Sequence, residues 1–174
     1  NIVLFGFMGA GKTVVAKRIA KKAGLTLVDT DDVITELAGK SIPEIFAAEG
    51  EEKFRSYERQ AVAQVAQQKE AVIATGGGVI LRECNVEVLS TNGFLVFLRA
   101  SCQTLLARVQ NCTTVRPLAK NEEQFKRLYQ SRAKLYAQIP HIVDTDILSV
   151  EDISSQIITL YRRAGGIAPH CPSW

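Results

Sequence analysis

The chain opens on an unbroken apolar run, Ile2-Val3-Leu4-Phe5, which predicts a short strand buried on both faces. Glycine and polar positions follow, and from Lys12 the period changes. Val14, Val15, Ile19, Ala20 and Ala23 recur at helical spacing until Gly24 stops the helix. Thr26-Leu27-Val28-Asp29 reads as a second strand, followed by a short helix over about 32–37 with Gly39 as its stop. Ser41-Ile42-Pro43-Glu44 supplies a cap and a first-turn proline for another helix, which Gly50 breaks. A long helix over 51–68 then carries an apolar stripe through Phe54, Ala61, Val62 and Val65. A third strand, Ala71-Val72-Ile73-Ala74-Thr75, runs straight into Gly76-Gly77-Gly78. The fourth, Phe94-Leu95-Val96-Phe97-Leu98, is preceded by the turn Thr91-Asn92-Gly93. Helix is expected over 102–110 and 123–138, a fifth strand at Ile142-Val143-Asp144, and a closing helix over 150–163. Residues 111–122 are polar, aperiodic and centred on Arg116-Pro117, so they read as a mobile loop. The tail 164–174, with two glycines and two prolines, is expected to be flexible.

Strands that alternate with helices throughout predict an α/β domain: a parallel five-stranded sheet covered by helices on both faces, spanning 1–163 without a repeat or a second domain. The bulk numbers narrow the class. A chain of 174 residues with 47% hydrophobic content has ample core for one domain. No apolar run approaches the ~20 residues that span a bilayer, and no signal peptide is visible ahead of the first strand. The expectation is a cytoplasmic protein with no membrane partner. A net charge of +3 suits an anionic small substrate and does not argue for nucleic acid. Cys84, Cys102, Cys112 and Cys171 form no C-x-x-C pair and no metal-ligand spacing, which fits reduced thiols. His141 and His170 stand alone, so no zinc site is expected. No exposed heptad stands out, and a monomer is expected.

The first turn carries the strongest chemistry. Gly6, Gly11, Lys12 and Thr13 fit G-x-x-x-x-G-K-[ST], the phosphate-binding loop, between a strand and a helix as that motif requires. Residues without a Cβ let successive N–H groups curl around phosphate oxygens, and the helix N-terminus adds partial positive charge there. Lys12 can reach terminal phosphates, and the Thr13 hydroxyl can ligate Mg²⁺. Such a loop needs a nearby acid for the metal, at the end of a buried strand. Only the second strand supplies one, Asp29. If the extended conformation persists one residue further, Asp29 and Asp31 point the same way, with Asp29 near the metal and Asp31 near an acceptor hydroxyl. Asp32 is expected to cap the next helix.

The triplet Gly76-Gly77-Gly78 lies at the C-terminal end of a strand, where open α/β sheets bind ligands. Arg55 and Glu58, three apart on one helix, read by themselves as a surface ion pair of little energetic weight. Arg108, Arg116 and Arg132 taken singly read as solvated charges. Arg116 is the most suggestive, because a guanidinium on a loop can close over a transferring phosphoryl group.

Taken together, Gly6-Phe7-Met8-Gly9-Ala10-Gly11-Lys12-Thr13, Asp29-Thr30-Asp31, Gly50-Glu51 with Phe54-Arg55 and Glu58, Gly76-Gly77-Gly78, Arg116-Pro117-Leu118 and Ser131-Arg132 with Leu135-Tyr136 resemble the shikimate kinases over residues 2–163. The resemblance implies a P-loop fold like that of nucleoside-monophosphate kinases, and transfer of the γ-phosphoryl of MgATP to the 3-hydroxyl of shikimate. It implies nucleotide contacts from Gly9, Ala10, Gly11, Lys12, Thr13, Val14, Arg108 and Arg116, and Mg²⁺ at Thr13 and Asp29. It further implies Asp31 as the candidate base, with Lys12 and Arg116 as its catalytic partners. Arg55 and Arg132 would grip the carboxylate, Gly76, Gly77 and Gly78 would contact the acceptor, Phe46 and Phe54 would wall its ring, and Glu58 would steady Arg55. The loop 111–122 would be a lid, and residues 32–68 the acceptor-binding helices. Where many members place a basic residue on adenine after Asp144-Thr145, this chain has Asp146-Ile147-Leu148. The alternatives are a gluconate or nucleotide kinase of the same fold, or a non-catalytic nucleotide-binding module. A GTPase switch is disfavoured because neither D-x-x-G nor N-K-x-D occurs.

Overall fold

The computed structural model describes residues 1–111 and 121–165. Among these, five strands and seven helices alternate: β1 (Ile2–Phe5), α1 (Lys12–Ala23), β2 (Thr26–Asp29), α2 (Thr30–Ala38), α3 (Ile42–Val65), β3 (Ala71–Ala74), α4 (Glu83–Ser90), β4 (Phe94–Arg99), α5 (Cys102–Gln110), α6 (Glu122–Tyr136), β5 (His141–Asp144) and α7 (Val150–Arg163). The strands form one parallel sheet in the order β2-β3-β1-β4-β5. β1 is central, and its four side chains are completely buried, which accounts for a run without polar alternation. α1 packs on α7 and β3, α3 packs on α4, and α6 meets α5.

The sheet order positions the site. From β1 the chain leaves to the β2 edge, returns through β3, then crosses to β4 on the other side of β1. The connections out of β1 and β3 therefore open side by side, at the strand ends where a reversal of direction leaves a crevice. Thr75 stitches the two ends together, donating from both its N–H (3.1 Å) and its hydroxyl (2.9 Å) to Leu4 O.

Several boundaries differ from the sequence reading. The helix expected over 32–37 begins at Thr30, and its cap is Asp29, whose Oδ1 accepts from Asp31 N at 3.0 Å. Asp32 is therefore not the cap; it lies in the first turn, where its charge favours the helix N-terminus. Gly50 does break the helical path, at φ 79° and ψ 177°, yet both segments run together as the kinked α3. The Ser41 cap is a full capping box with Glu44. A 3-10 turn (Val79–Leu81) and α4 have no counterpart in the sequence reading. Only Asn85 and Leu89 of α4 are buried, too few to set a visible period. The expected tail lies outside the described residues beyond Gly165, as do Cys112, Cys171 and His170. Cys84 and Cys102 are free thiols, and His141 stacks on Phe94 at 4.0 Å. No helix among the described residues is long and apolar enough to cross a membrane.

The main core surrounds the sheet, and a smaller one of Ile34, Ile45, Phe54 and Ala61 holds α2 to α3. A methyl group on Gly93 would overlap the carbonyl oxygen of Leu89 and lie 2.7 Å from Val3 Cγ2, so the chain enters β4 only without a side chain there. Gly93→Ala is expected to lower unfolding stability by about 2 kcal/mol in urea titration, because a backbone oxygen cannot swing aside.

Candidate active site

The loop between β1 and α1 turns on Gly11, the N-cap residue, at φ 86° and ψ 17°, a left-handed conformation that favours glycine. Its base is fixed by packing. Phe7 is buried and meets Phe125 and Tyr129 edge-on at 5.1 and 5.6 Å, so α6 clamps the loop from below. Lys12 Nζ donates to Gly6 O at 2.8 Å and Phe7 O at 3.1 Å, curling the side chain back over its own loop. Val14, expected on the apolar face of α1, is 56% exposed instead and borders the ligand cavity. That cavity, about 280 Å³, is lined by Met8, Gly9, Gly11, Lys12, Thr13 and Val14 on one side and by Asp29, Asp31, Thr75, Gly76 and Gly77 on the other. Ala10 is buried within the loop.

The two aspartates reach this cavity by a route the strand pattern did not anticipate. Extended backbone stops at Asp29 and the helix starts at Thr30. Asp29 ties the corner by accepting from the Thr13 hydroxyl on Oδ2 (2.9 Å) and from Asp31 N on Oδ1. Thr30, fully buried between them, accepts from Gly76 N at 2.7 Å and so pins the third strand's turn to the second. A hydroxyl and a carboxylate side by side beneath a phosphate loop are hard oxygen donors. They fit Mg²⁺, which takes one or two protein oxygens and fills its shell with phosphate and water. Among the described residues no group of three His, Cys, Asp or Glu forms a metal cage.

The glycine triplet lies against side chains of three helices, closely at Gly76 and Gly78 and at ordinary contact distance at Gly77. A methyl group on Gly76 would lie 2.6 Å from Asp31 Oδ1, one on Gly77 3.7 Å from Arg132 Nη1, and one on Gly78 would overlap the Arg55 guanidinium. Three charged side chains from α2, α3 and α6 thus converge on one bare turn. The pair Arg55–Glu58 is not the surface contact its spacing first implied. Glu58 is 1% exposed and Arg55 Nη1 donates to both its oxygens at 3.0 Å, while Nη2 meets Glu51 at 3.1 Å. Burial raises the Glu58 carboxyl above its usual range, against the lowering effect of Arg55; Asp31 adds to the rise and Arg132 opposes it. The Arg55 guanidinium also lies over the Phe54 ring at 5.2 Å, and Phe54 meets Phe46 at 4.6 Å. Phe54 is buried, whereas Phe46 is 41% exposed at the rim.

Nor is Arg132 a solvated charge. Its Nη1 donates to Gly77 O at 3.0 Å, its guanidinium sits 5.8 Å from the Phe7 ring centroid, and its buried Nε has no hydrogen-bond partner among the described residues. Arg108 is likewise held, donating to the hydroxyl (3.1 Å) and the carbonyl oxygen of Thr145. Arg116 and the rest of 112–120 lie outside the described residues; Asn111 closes α5 and Asn121 caps α6 on either side. Two residues that hold this arrangement stand in the quoted motifs with no role read for them from the sequence. Thr30 is one. The other is Tyr136, whose hydroxyl reaches Gly6 O and Gly77 O; its place four residues after Arg132, on the same helix face, was the available signal.

Comparison with known proteins identifies the family. The family model for shikimate kinase matches residues 8–162. The chain belongs to the shikimate kinase family. It is 43% identical over 166 residues to the shikimate kinase of Thermodesulfovibrio yellowstonii, covering 94% of this chain and 95% of that one. To the shikimate kinase of Caldicellulosiruptor bescii it is 40% identical over 164 residues, covering 92% and 95%. Among solved structures, shikimate kinase from Acinetobacter baumannii in complex with shikimate superposes with a TM-score of 0.86 at 33% identity, covering 94% and 93%. A gluconokinase from Sinorhizobium meliloti, at 16% identity and a TM-score of 0.63, shares the fold. As a member of the shikimate kinase family, the protein is a phosphotransferase of the nucleoside-monophosphate-kinase-like class.

Because Glu58 is buried against Arg55, Glu58→Ala leaves a guanidinium desolvated beside an empty space. We expect a loss of about 3 kcal/mol in chemical denaturation, with Glu58→Gln losing clearly less because the amide oxygen still accepts.

Proposed function

We propose that the protein transfers the γ-phosphoryl group of ATP to the 3-hydroxyl of shikimate, giving shikimate 3-phosphate and ADP on the route to chorismate and the aromatic amino acids. The observation that carries this reading is the convergence of Asp31, Arg55 and Arg132 on the glycine triplet beside the phosphate loop. One carboxylate and two guanidiniums match a small hydroxy acid: the arginines take its carboxylate in forked hydrogen bonds, and Asp31 takes its hydroxyls. The orphaned Nε of Arg132 is a buried donor for that carboxylate. Phe54 and the rim residue Phe46 would wall the ring, Glu58 holds Arg55 in aim, and the bare Gly76–Gly78 turn lets the acceptor lie against backbone.

Phosphoryl transfer calls for positioning and charge stabilisation more than covalent chemistry. Gly9, Ala10, Gly11, Lys12, Thr13 and Val14 would cradle the phosphates, with the Lys12 ammonium moving from its carbonyl contacts to a terminal phosphate oxygen. Thr13 would hold Mg²⁺ directly and Asp29 from the outer shell. Bound Mg²⁺ would neutralise charge on the β- and γ-phosphate oxygens. Asp31 would accept the proton of the attacking hydroxyl. Arg108, braced on Thr145, would flank the nucleotide base, and Arg116 would close over the phosphates from the lid, excluding water. We also propose that the protein works as a cytoplasmic monomer. Of the alternative acceptors, a nucleotide lacks the carboxylate that the arginine pair would hold; gluconate has one, and membership of the shikimate kinase family speaks against it.

The deciding experiment is ADP release from MgATP with and without shikimate. Shikimate is expected to raise the rate by orders of magnitude, and Asp31→Asn to abolish the increase; turnover indifferent to shikimate would overturn the acceptor assignment. The pH dependence gives an independent reading. The folded state takes up the Glu58 proton at higher pH than the unfolded chain, so this group adds stability at low pH that is lost as pH rises through its folded value. Protonation also loosens its hold on Arg55. The acid limb of kcat/KM for shikimate is therefore expected above the usual carboxylate range, and Glu58→Gln is expected to remove that limb.

A further inference from the structure

α6 carries Arg132 and Tyr136 one turn apart. The Tyr136 ring is 1% exposed and stacks on Phe97 at 5.0 Å and 6°. Its hydroxyl lies 3.1 Å from Gly6 O, where β1 enters the phosphate loop, and 2.9 Å from Gly77 O, the middle of the triplet. Each of these carbonyls also accepts from a cation: Gly6 O from Lys12 Nζ at 2.8 Å, and Gly77 O from Arg132 Nη1 at 3.0 Å. Lys12, Gly6, Tyr136, Gly77 and Arg132 thus form one continuous relay from the phosphate loop to the acceptor turn.

The relay has a built-in shortage. A phenol carries one proton, so it can donate fully to only one of the two carbonyls, while each carbonyl can accept two bonds. Burial holds the phenol well above its usual pKa, so the proton stays on. Gly6 is buried, and a buried carbonyl that loses its donor costs free energy unless another replaces it. When Lys12 leaves Gly6 O for a phosphate, the Tyr136 hydroxyl is positioned to take over. Gly77 O is then left to Arg132 Nη1, which fixes one arm of the guanidinium.

We propose that Tyr136 is a positioning residue whose hydroxyl shifts to Gly6 O as Lys12 engages nucleotide, leaving Arg132 as the anchor of Gly77 O, so that nucleotide binding sets the aim of the acceptor-binding arginine. This rests on the nucleotide reading of the phosphate loop. The test is calorimetric titration of wild type and Tyr136→Phe with a non-hydrolysable ATP analogue plus Mg²⁺, and separately with shikimate alone. The phenyl ring keeps the stack on Phe97. The analogue's Kd is expected to rise roughly tenfold in the variant, because Gly6 O then has no replacement donor. The Kd for shikimate alone should not rise and is expected to fall by roughly twofold, since Gly77 O is then left to Arg132 from the start. Equal weakening of both ligands, or no weakening of the analogue, overturns the proposal. Failure of wild type to bind the analogue overturns the phosphate-loop reading instead. A second measurement does not depend on the variant folding: in ¹³Cζ-tyrosine-labelled wild type, the Tyr136 resonance should shift on addition of the analogue and stay in place with shikimate alone. An unmoved resonance overturns the proposal.

Discussion

Two glycine-rich turns have to open into the same crevice, and the rest of the structure depends on that constraint. It is met by the position of β1, buried on both faces between β3 and β4. A parallel sheet delivers every connection of one kind to the same edge, and the reversal of strand order on either side of β1 parts the helices there. Thr75 on Leu4 O then fixes the ends of β1 and β3 to each other, and Thr30 under Gly76 N ties the second strand's corner to the triplet. Phosphate donor and acceptor can thus meet without a large conformational search, which is where much of the catalytic advantage in such a reaction arises.

Charge inside this crevice is balanced by burial rather than by number. Glu58 alone would be costly where it sits, and Arg55 alone would wander. Held together, each lowers the cost of the other, and the guanidinium stands against Gly78 and over the Phe54 ring. Arg132 is held differently, by a backbone carbonyl and an aromatic ring, with its buried Nε left without a partner among the described residues. In the proposed reaction, two arginines fixed by unlike means would give a carboxylate a site of defined orientation. The packing of Phe7 against α6 links that orientation to the phosphate loop.

Much of this was legible in the order of the residues. Strand–glycine–Lys12-Thr13 and the alternation of apolar runs with helical periods pointed to the sheet, because burial on both faces leaves no polar alternation. Some of the rest was hidden because it has no local signature. Asp29 as a helix cap, Asp32 as a mere first-turn charge, and α4 with two buried residues were decided by how neighbouring elements happened to pack. The Arg55–Glu58 spacing is that of any surface pair, and only the smaller core beneath it turned it inward.

The sequence by itself determined the phosphate loop, the parallel α/β class and the set of residue types that a small hydroxy acid and a triphosphate would need, since these follow from periodicity and from the chemistry of single side chains. Only the tertiary structure decided which of those side chains act together. Asp31, Arg132 and Arg55 come from α2, α6 and α3, yet each stands against one glycine of a single turn, and Tyr136 spans two carbonyls 71 residues apart, Gly6 and Gly77. Such meetings depend on distances through space, which packing around a buried strand fixes and no spacing along the chain can express.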